Sequence, residues 1–406
     1  MAGTTVIIGA GQAGVSLAFK LREYGYIGKI ILVGEEGRLP YQRPPLSKKF
    51  LSSEVEEERL YIVKSKEVFE KKSIETILDK KVISVDRIRK KAILSDGAEL
   101  YYDTLAFTTG AEPLRLPPSL GGKLSNVFTF RTIFDAKKMR NEFRSGRKLL
   151  VVGGGYIGLE TAAVAKNMGM NVSLIEKGSS ILQRVASKET ACYFRELHRT
   201  HGVQIFENEG LDQVKEKNSR AVRVKLTSGK ELSVDVIVSG IGIIPETSLA
   251  ESSGLTVNNG IVVDEIGRTS DHFVFAAGDC TSFPYFGNMI RLESVQNAIE
   301  QAEAVALSIL GKGKKYCPVP WFWSDQYGTK LQIAGLNRGY TNTVCRRGAR
   351  GGLSIWYFYG RQFIAVDAIN DPRAFMMGKK WLKERKTPDV SDLENYMLEL
   401  SSVRLN

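Results

Sequence analysis

The sequence predicts an α/β fold with two doubly wound nucleotide-binding domains, the second inserted into the first, and a small mixed α/β C-terminal domain. The first supporting observation is the length of 406 residues, enough chain for two or three domains. The second is a repeat, because residues 5–14 and 149–158 each join an apolar run to G-x-G-x-x-G. The third is a pair of apolar strands, within 104–113 and 236–245, that fit the two crossings between the domains.

The composition is that of a globular protein, with 43% hydrophobic and 25% charged residues. A formal charge of +12 could attract nucleic acid, anionic lipid or an acidic protein, and composition alone does not choose among them. No apolar stretch reaches the roughly 18 residues that cross a bilayer. The apolar segment 6–19 lacks a preceding basic residue, so it does not fit a signal peptide. We therefore expect a cytoplasmic protein without a membrane partner.

The first copy of the repeat contains Gly9, Gly11 and Gly14 between a strand and a helix-like segment. The first glycine permits a tight turn, the second lets a pyrophosphate approach the backbone, and the third lets the helix pack closely on the strand. The phosphates would then face the N–H groups at the start of the helix. A second apolar strand, 30–33, precedes Glu35, which could accept hydrogen bonds from a ribose diol. This copy predicts a Rossmann-like dinucleotide site.

The second copy contains Gly153, Gly155 and Gly158, and its second strand ends in Glu176. Because strand, glycine motif, helix and acidic residue occur together twice, a chance arrangement of glycines does not explain the repeat well. A carboxylate at Glu176 would repel a 2′-phosphate, so NADH is favoured over NADPH as the ligand of this copy. The neighbouring Lys177 keeps NADPH open as the alternative.

The segments that follow the motifs indicate which dinucleotide each copy binds. An apolar strand ends at Gly278 and Asp279 before a helix over 295–310, which suits a carboxylate beside a ribityl chain. A helix N-cap role for Asp279 is an alternative compatible with the first. We therefore expect FAD at the first copy and NAD(H) at the second. The predicted domains are an FAD-binding domain of residues 1–112 and 240–314, an NAD-binding domain of residues 113–239 and a C-terminal domain of residues 315–406.

The cysteines and histidines predict neither a disulfide framework nor a metal site. The four cysteines are scattered without CxxC spacing. His198 and His201 have no acid between them, so the HExxH zinc pattern is missing. We expect these histidines at the surface or at a helix end.

Six segments are distinctive beyond the glycine motifs: PPLSK (44–48), LSDGAELYYDTLAFTTGAEP (94–113), VVGGGYIGLE (151–160), AAGDC (276–280), RLESVQNAIEQA (291–302) and PWFWSDQY (320–327). Together they resemble the NADH-dependent ferredoxin reductases of bacterial cytochrome P450 and aromatic-ring dioxygenase systems, over nearly the whole chain. The last two segments are specific to this group. The nucleotide motifs are shared with the wider pyridine nucleotide–disulfide reductase-like superfamily.

The resemblance implies a set of cofactor contacts. For FAD these are Gly9, Gly11, Ala13, Gly14, Glu35, Arg43, Lys48, Val82, Arg131, Gly278, Asp279 and Val295. For NADH they are Gly153, Gly155, Ile157, Gly158 and Glu176, with Glu160 and Glu293 near the nicotinamide. The resemblance also implies catalytic roles for Lys48 and Glu160, as an ion pair beside the flavin, and for Trp323 at the exposed edge of the flavin.

Two of these residues have ordinary structural interpretations as well. Trp321, Trp323 and Tyr327 alternate on a predicted strand, and core packing produces the same pattern. Lys48 would also be unremarkable as a solvated lysine.

The resemblance further implies an activity in which the flavin is the catalyst and the protein positions it. NADH would reduce FAD, and the flavin would pass electrons one at a time to a 2Fe–2S ferredoxin serving a cytochrome P450 or ring-hydroxylating oxygenase. An acidic ferredoxin would suit residues 316–406, which hold 13 Lys and Arg against 8 Asp and Glu. The basic residues that we expect to steer it are Arg346, Arg347, Arg350, Lys379, Lys380, Lys383, Arg385 and Lys386. The sequence leaves open whether the protein is a monomer or a homodimer.

Two alternative functions remain at this stage. A flavin-dependent NADH oxidase or disulfide-type reductase needs a redox cysteine at the flavin, yet residues 9–50 and 108–160 contain none and Cys280 lacks a resolving partner. A redox signalling protein similar to apoptosis-inducing factor would bind nucleic acid through its basic face. The PWFWSDQY segment favours electron transfer over both, so no nucleic-acid partner is expected.

Overall fold

The computed structural model describes residues 3–348 and 351–406. The chain divides into two compact units. The first unit contains Met1–Gln42, Glu57–Glu112 and Ile243–Pro318, and the second contains Arg43–Glu56, Pro113–Gly242 and Val319–Asn406. The chain thus leaves the first unit after Glu112 and returns to it at Ile243. The boundaries expected for three domains remain a prediction.

The first unit is built on a parallel sheet of five strands in the order β3-β2-β1-β7-β19. The strands are β1 (Thr4–Ile8), β2 (Lys29–Val33), β3 (Ile74–Ile77), β7 (Thr104–Phe107) and β19 (Val274–Ala276). Because β1 has β2 on one side and β7 on the other, the strand order reverses at β1. The crevice outside the carboxyl ends of such strands is where open α/β sheets bind ligands.

Two helices cover this sheet and pack against each other, α1 (Gln12–Glu23) and α7 (Val295–Ile309). Their apolar faces bury Leu17, Leu21 and Val305 completely. The other helices and strands of the unit are short: helices α2 (Lys66–Lys71) and α6 (Ser248–Ser252), and strands β4 (Val82–Asp86), β5 (Lys91–Leu94), β6 (Glu99–Tyr101), β8 (Ala111–Pro113, of which Pro113 belongs to the second unit), β17 (Ile243–Pro245), β18 (Ile261–Val262), β20 (Thr281–Tyr285) and β21 (Asn288–Ile290).

The second unit contains a second parallel sheet, in the order β12-β11-β10-β16-β9. Its strands are β9 (Val127–Thr129), β10 (Lys148–Val152), β11 (Asn171–Glu176), β12 (Gln204–Glu207) and β16 (Val236–Ser239). Helices α3 (Ile133–Glu142), α4 (Tyr156–Asn167) and α5 (Lys188–Thr200) accompany it, with a small antiparallel sheet of β13 (Leu211–Lys217), β14 (Arg220–Leu226) and β15 (Glu231–Ser233). Both predicted parallel sheets are therefore present.

The carboxyl-terminal part of the second unit is an antiparallel sheet in the order β22-β23-β26-β25-β24. Its elements are β22 (Trp321–Gln326), β23 (Thr329–Gly335), β24 (Asn342–Arg347), β25 (Leu353–Tyr359), β26 (Gln362–Ile369), α8 (Pro372–Glu384) and α9 (Val390–Glu394). The core between the sheet and α8 contains Trp356, Phe363 and Trp381. Tyr327, expected to continue the aromatic alternation, instead lies in the turn after β22 with φ +52°. The turn forms there because Gly328, also at positive φ, follows.

Within residues 3–348 and 351–406, every helix is too short or too polar to cross a membrane. The same residues contain no group of three or more histidine, cysteine, aspartate or glutamate side chains that could hold a metal ion.

Candidate active site

The first glycine loop joins β1 to α1 with the geometry that its spacing predicts. Gly9 has φ +111°, and a Cβ there would lie 2.3 Å from the carbonyl oxygen of Thr108. A Cβ on Gly14 would lie 2.0 Å from the carbonyl oxygen of Gly9. Over Gly11, by contrast, no atom of the described residues beyond its two chain neighbours comes within 4 Å of a Cβ position. Two glycines are thus required by close packing, and the middle one faces open space that suits a phosphate group.

The second loop, between β10 and α4, repeats this geometry. Gly153 has φ +106°, and a Cβ there would meet the carbonyl oxygen of Gly240 at 2.5 Å. A Cβ on Gly158 would lie 2.1 Å from the carbonyl oxygen of Gly153. The space over Gly155 is open within the described part of the chain. The sequence repeat is therefore also a structural repeat.

The helices that follow the two loops begin differently from the other long helices. The N-caps of α1 and α4 are Gly11 and Gly155, which have no side chain to accept the first N–H groups. The other long helices begin at side chains that accept a backbone N–H, namely Thr132 (α3), Ser187 (α5), Ser294 (α7) and Asp371 (α8). The starts of α1 and α4 consequently suit an anionic ligand, and the two loops fit the pyrophosphates of two dinucleotides.

Glu176, the last residue of β11, lies directly at the second loop. Its Oε2 accepts a hydrogen bond from the Gly154 N–H at 2.7 Å, and its Oε1 accepts one from the Gly178 N–H at 2.7 Å. A carboxylate has about four acceptor positions, so capacity remains for the hydroxyls of a ribose. The neighbouring Lys177 is exposed.

The carboxyl-end edge of the first sheet carries the residues expected to bind FAD there. The glycine loop follows β1, and Glu35 follows β2 as an exposed carboxylate 3.3 Å from the Lys81 Nζ. Gly278 and Asp279 follow β19, and the Gly278 N–H donates to the side chain of Gln301 at 2.8 Å. Because parallel strands end at one edge, these residues share that edge of the unit.

The other residues of the first unit that we expect to contact FAD or NADH do not directly follow these strands in the sequence. Val82 is buried in β4, and Val295 is the partly buried first residue of α7. Glu293 is exposed and forms an ion pair with Arg291. In the second unit, Ile157 is 43% exposed in the first turn of α4, next to Gly155.

A buried cluster in the second unit surrounds the Glu160 carboxylate, which is 3% exposed on α4. The Lys48 Nζ lies 2.7 Å from Glu160 Oε2, so the expected ion pair is present. The Ser47 hydroxyl donates to the same oxygen at 2.8 Å, and the Ser324 hydroxyl donates to Oε1 at 2.6 Å. Reasoning from sequence missed both serines, although they lie in the PPLSK and PWFWSDQY segments that it singled out.

Trp323 and Ser324 point to opposite faces of β22, as consecutive strand residues do. On the Trp323 face, the ring centroids of Trp321 and Trp323 are 5.7 Å apart, and Trp321 also contacts Phe375 and the Lys379 ammonium of α8. Trp323 itself is partly exposed. It is thus neither fully packed into the core nor fully solvated.

Arg43 and Arg131, both expected to approach the flavin, meet in the second unit. The Arg43 guanidinium donates to the Arg131 carbonyl oxygen at 2.8 Å. The hydrogen bond fixes the direction of the Arg43 side chain just before the PPLSK segment.

The expectation that Arg346 is a surface charge is wrong. Arg346 is 5% exposed, and its guanidinium donates to the carbonyl oxygens of Leu393, Asn395 and Leu398. Burial lowers the pKa of this guanidinium. Arg346 therefore ties β24 to α9 and to the segment after it. Arg347 is exposed, and Arg350 lies outside the described residues.

His198 lies at a helix end, as one of the two expected positions, because it belongs to the last turn of α5. It is not at the surface, since its side chain is completely buried. Burial lowers its pKa to about 4, so the ring is neutral at physiological pH. Its Nε2 lies 2.7 Å from the Oε1 of Gln326. A buried hydrogen-bond partner 128 residues away explains why the sequence pattern around His198 gave no indication of this role.

Cys280 does not have the character of a redox nucleophile. Its side chain is completely buried, and burial raises the pKa of the thiol. Reactive cysteines need a thiolate, which a raised pKa disfavours. All four cysteines of the chain are free thiols.

Comparison with known proteins identifies the class to which this fold and site belong. The pyridine nucleotide-disulphide oxidoreductase family matches residues 3–302, and the reductase C-terminal family matches residues 321–404. The chain belongs to the pyridine nucleotide-disulphide oxidoreductase family, with a reductase-type C-terminal domain. FAD and NAD(H) are accordingly its cofactors.

Individual relatives match over nearly their whole length. Rhodocoxin reductase of Rhodococcus erythropolis is 39% identical, over 98% of this chain and 94% of the relative. Putidaredoxin reductase of Pseudomonas putida is 37% identical, over 94% of this chain and 92% of the relative. The crystal structure of the covalent putidaredoxin reductase–putidaredoxin complex contains a chain that matches with a TM-score of 0.95 and 36% identity, over 99% of this chain and 98% of that one. The predicted resemblance, fold class and enzyme class are confirmed.

Proposed function

We propose that this protein transfers electrons from NADH, through bound FAD, to a 2Fe–2S ferredoxin that serves a cytochrome P450 or ring-hydroxylating oxygenase. The observation that carries the proposal is the combination, in one chain, of two dinucleotide loops with a C-terminal domain of the reductase type. The relatives named above support it, because each reduces a redoxin according to its name. The flavin supplies the chemistry when bound, since it accepts a hydride from a nicotinamide and delivers electrons singly.

The proposed FAD site uses the carboxyl-end edge of the first sheet. The open N-terminus of α1, with the N–H groups of Ala13 and Gly14, would bind the pyrophosphate. Glu35 would accept hydrogen bonds from the adenosine ribose, and Asp279 would do so from the ribityl hydroxyls. The remaining contacts that we propose for FAD are those of Gly9, Gly11, Arg43, Val82, Arg131, Gly278 and Val295.

The proposed NADH site uses the second loop. The open N-terminus of α4 would bind the pyrophosphate through Gly153, Gly155, Ile157 and Gly158. Glu176 would accept the ribose diol, and its negative charge would oppose a 2′-phosphate. Glu293 would lie near the nicotinamide.

Lys48 is the residue that we propose to contact the reacting ring of the flavin. Its ammonium would stabilise negative charge on the reduced ring, and Glu160 would hold the lysine in place. The 2.7 Å ion pair and the burial of Glu160 support this division of roles. We propose that Trp323 lies at the exposed edge of the flavin.

The ferredoxin is proposed to be acidic and to dock on the basic surface of the C-terminal domain. Because Arg346 is buried, that surface consists of Arg347 and the lysines and arginine in and after α8. Complementary charge steers association more than it fixes affinity.

The test is NADH-driven reduction of cytochrome c by the purified flavoprotein, with and without a 2Fe–2S ferredoxin encoded in the same genome. We expect the ferredoxin to accelerate the reaction, because it carries electrons from the flavin to cytochrome c. A small neutral quinone serves as the control acceptor, since it needs no docking site. The proposal fails if the quinone is reduced while no such ferredoxin accelerates cytochrome c reduction at any salt concentration.

The alternatives make distinct predictions in the same experiment. An NADH oxidase would consume NADH at its full rate with oxygen alone, and a disulfide reductase would need a reactive thiol, which the buried Cys280 does not offer. A signalling protein that binds nucleic acid would show salt-sensitive binding to DNA.

A further inference from the structure

The Ser324–Glu160 hydrogen bond is the last link of a longer buried chain in the second unit. The Gln326 Nε2 lies 3.1 Å from the Ser324 Oγ, and the Gln326 Oε1 lies 2.7 Å from the His198 Nε2. Ser324 and His198 are completely buried, and Gln326 is 1% exposed. Hydrogen bonds therefore connect α5, β22, α4 and the PPLSK segment without access to solvent.

The chemistry of the partners fixes the direction of every bond in this chain. Glu160 pairs with an ammonium and can only accept, so the single hydroxyl proton of Ser324 points to Oε1. The Ser324 oxygen must then accept from Gln326, which places the amide NH2 towards Ser324 and the amide oxygen towards His198. The neutral His198 ring consequently carries its proton on Nε2 and donates it. This assignment follows from the network as a whole.

Each donor thus points along the chain towards the Glu160 carboxylate. Hydrogen bonds aligned in this way polarise one another, so the last donor binds the anion more strongly than an isolated hydroxyl would. The two oxygens of Glu160 have different donors. Oε2 accepts hydrogen bonds from Lys48 and Ser47, and Oε1 accepts one from Ser324.

We propose that Ser324, with Gln326 and His198 behind it, is a positioning residue that fixes the Glu160 carboxylate and, through Glu160, the ammonium of Lys48. The C-terminal domain would then complete the active site as well as offering a docking surface. This inference rests on the proposed function only where it places Lys48 at the flavin.

The expected consequence of removing the hydroxyl follows from burial. In Ser324→Ala, Oε1 of Glu160 would remain buried without its donor, and an unsatisfied buried acceptor is costly. The carboxylate would relieve this cost by rotating or by admitting water, and either change weakens the fixed contact between Oε2 and Lys48. The loss of one hydrogen bond to a charged group changes an equilibrium constant by roughly tenfold.

The first measurement is made without flavin. In the flavin-free protein, acetylation of the Lys48 amine by acetic anhydride, followed by mass spectrometry, reports how firmly the ion pair holds the ammonium. We expect Ser324→Ala to raise the rate of Lys48 acetylation roughly tenfold relative to surface lysines of the same molecule. Ser324→Thr, which keeps a hydroxyl, should restore protection.

The second measurement uses the FAD-bound protein without any ferredoxin. A less firmly held Lys48 should stabilise the reduced flavin less. We therefore expect the midpoint potential of the flavin to fall by about 30 mV, which corresponds to a tenfold change in the equilibrium constant of a two-electron couple. The matched control is Ser354→Ala, because Ser354 is also a completely buried serine of this sheet but bonds to Trp356 and not to Glu160. We expect the control to leave both acetylation and potential unchanged.

The inference is overturned if Ser324→Ala matches Ser354→Ala in both measurements. If Ser324→Ala does not fold, Ser47→Ala and Gln326→Leu take its place, and unchanged Lys48 acetylation in both variants overturns the inference equally. Neither measurement involves an acceptor protein. A protein that reduces no ferredoxin yet shows these effects would therefore refute the proposed function and leave the positioning role standing.

Discussion

At the scale of single residues, Glu176 combines a structural and a binding role. Each of its oxygens accepts a backbone N–H beside the second glycine loop, and these two hydrogen bonds orient the carboxylate. Such an oriented carboxylate can bind a ribose diol, whereas a 2′-phosphate would bring like charges together. Selectivity for NADH would arise in this way from one side chain.

Substitution of Glu176 tests this explanation. We expect wild-type protein to prefer NADH, and Glu176→Ala to reduce the preference roughly tenfold, because one charge-assisted hydrogen bond is lost and one repulsion is removed. Glu176→Gln should fall between the two, since it keeps an acceptor for the loop but not the charge. The measurement is stopped-flow reduction of the flavin over a range of NADH and NADPH concentrations. A wild-type preference for NADPH would contradict the assignment.

Asp367 in β26 provides a second test at this scale, concerning stability. The carboxyl is completely buried and accepts hydrogen bonds from the hydroxyls of Tyr357 and Thr190, at 2.5 and 2.7 Å. Burial disfavours its ionised form and raises its pKa from 3.8 to about 6. Between these values the folded protein binds more protons than the unfolded chain, so the free energy of unfolding should fall as pH rises through this range.

We expect Asp367→Asn to abolish this contribution, which amounts to roughly 3 kcal/mol for a shift of about two pKa units. Urea unfolding at several pH values between 4 and 7 measures it as the difference between variant and wild type. Asp212→Asn, on an exposed position of β13, is the control. Parallel stability curves for wild type and Asp367→Asn would refute the prediction.

At the scale of elements, the sequence predicted what local chemistry determines and missed what distant partners determine. The two strand–loop–helix units were predictable, because the steric reasons for Gly9 and Gly14 lie within one turn of chain and one neighbouring strand. Arg346 was misjudged because its acceptors lie in α9 and in the segment after it, 47 to 52 residues later. Ser324 carried no indication of its own, because its role depends on Glu160, 164 residues away.

The end of α8, with the residues after it, is a basic and exposed part of the C-terminal domain. Lys380, Lys383 and Lys386 are exposed there. We expect their joint replacement by Gln to slow reduction of an acidic ferredoxin roughly tenfold at low ionic strength, with the difference disappearing at high salt, where the Debye length shrinks to about 3 Å at 1 M. Stopped-flow reduction of the ferredoxin at several salt concentrations measures the effect.

The matched control is the triple replacement of Lys66, Lys71 and Lys72 by Gln, which removes the same charge from in and beside α2 in the first unit. Both triple variants should reduce a small neutral quinone at the wild-type rate. Equal slowing by the two variants would show that net charge, and not the α8 surface, governs association.

At the scale of the whole molecule, the repeat of one supersecondary unit predicted two parallel sheets, and both are present. For the C-terminal domain, only the mixed α/β class was predictable from the sequence. The register of its antiparallel sheet depends on pairings such as Leu331 with Ile369, which no local motif specifies. The surplus of positive charge was evident from composition, but its distribution required the structure. The cofactor loops were thus the most predictable part of the molecule and the interactions of the C-terminal domain the least.

We expect the protein as a whole to hold FAD without a covalent bond. The proposed contacts include backbone N–H groups, carboxylates, two arginines and a lysine, all of which bind reversibly, so acid denaturation should release the flavin into the supernatant. FAD that binds the folded state alone should also stabilise the apoprotein, by about 2.7 kcal/mol at a concentration one hundred times its Kd. Thermal unfolding of the apoprotein with increasing FAD measures this, and riboflavin is the control, because it lacks the pyrophosphate that the start of α1 suits. Flavin that stays with the acid-precipitated protein would contradict reversible binding, and equal stabilisation by riboflavin would contradict the assignment of the first glycine loop to the pyrophosphate.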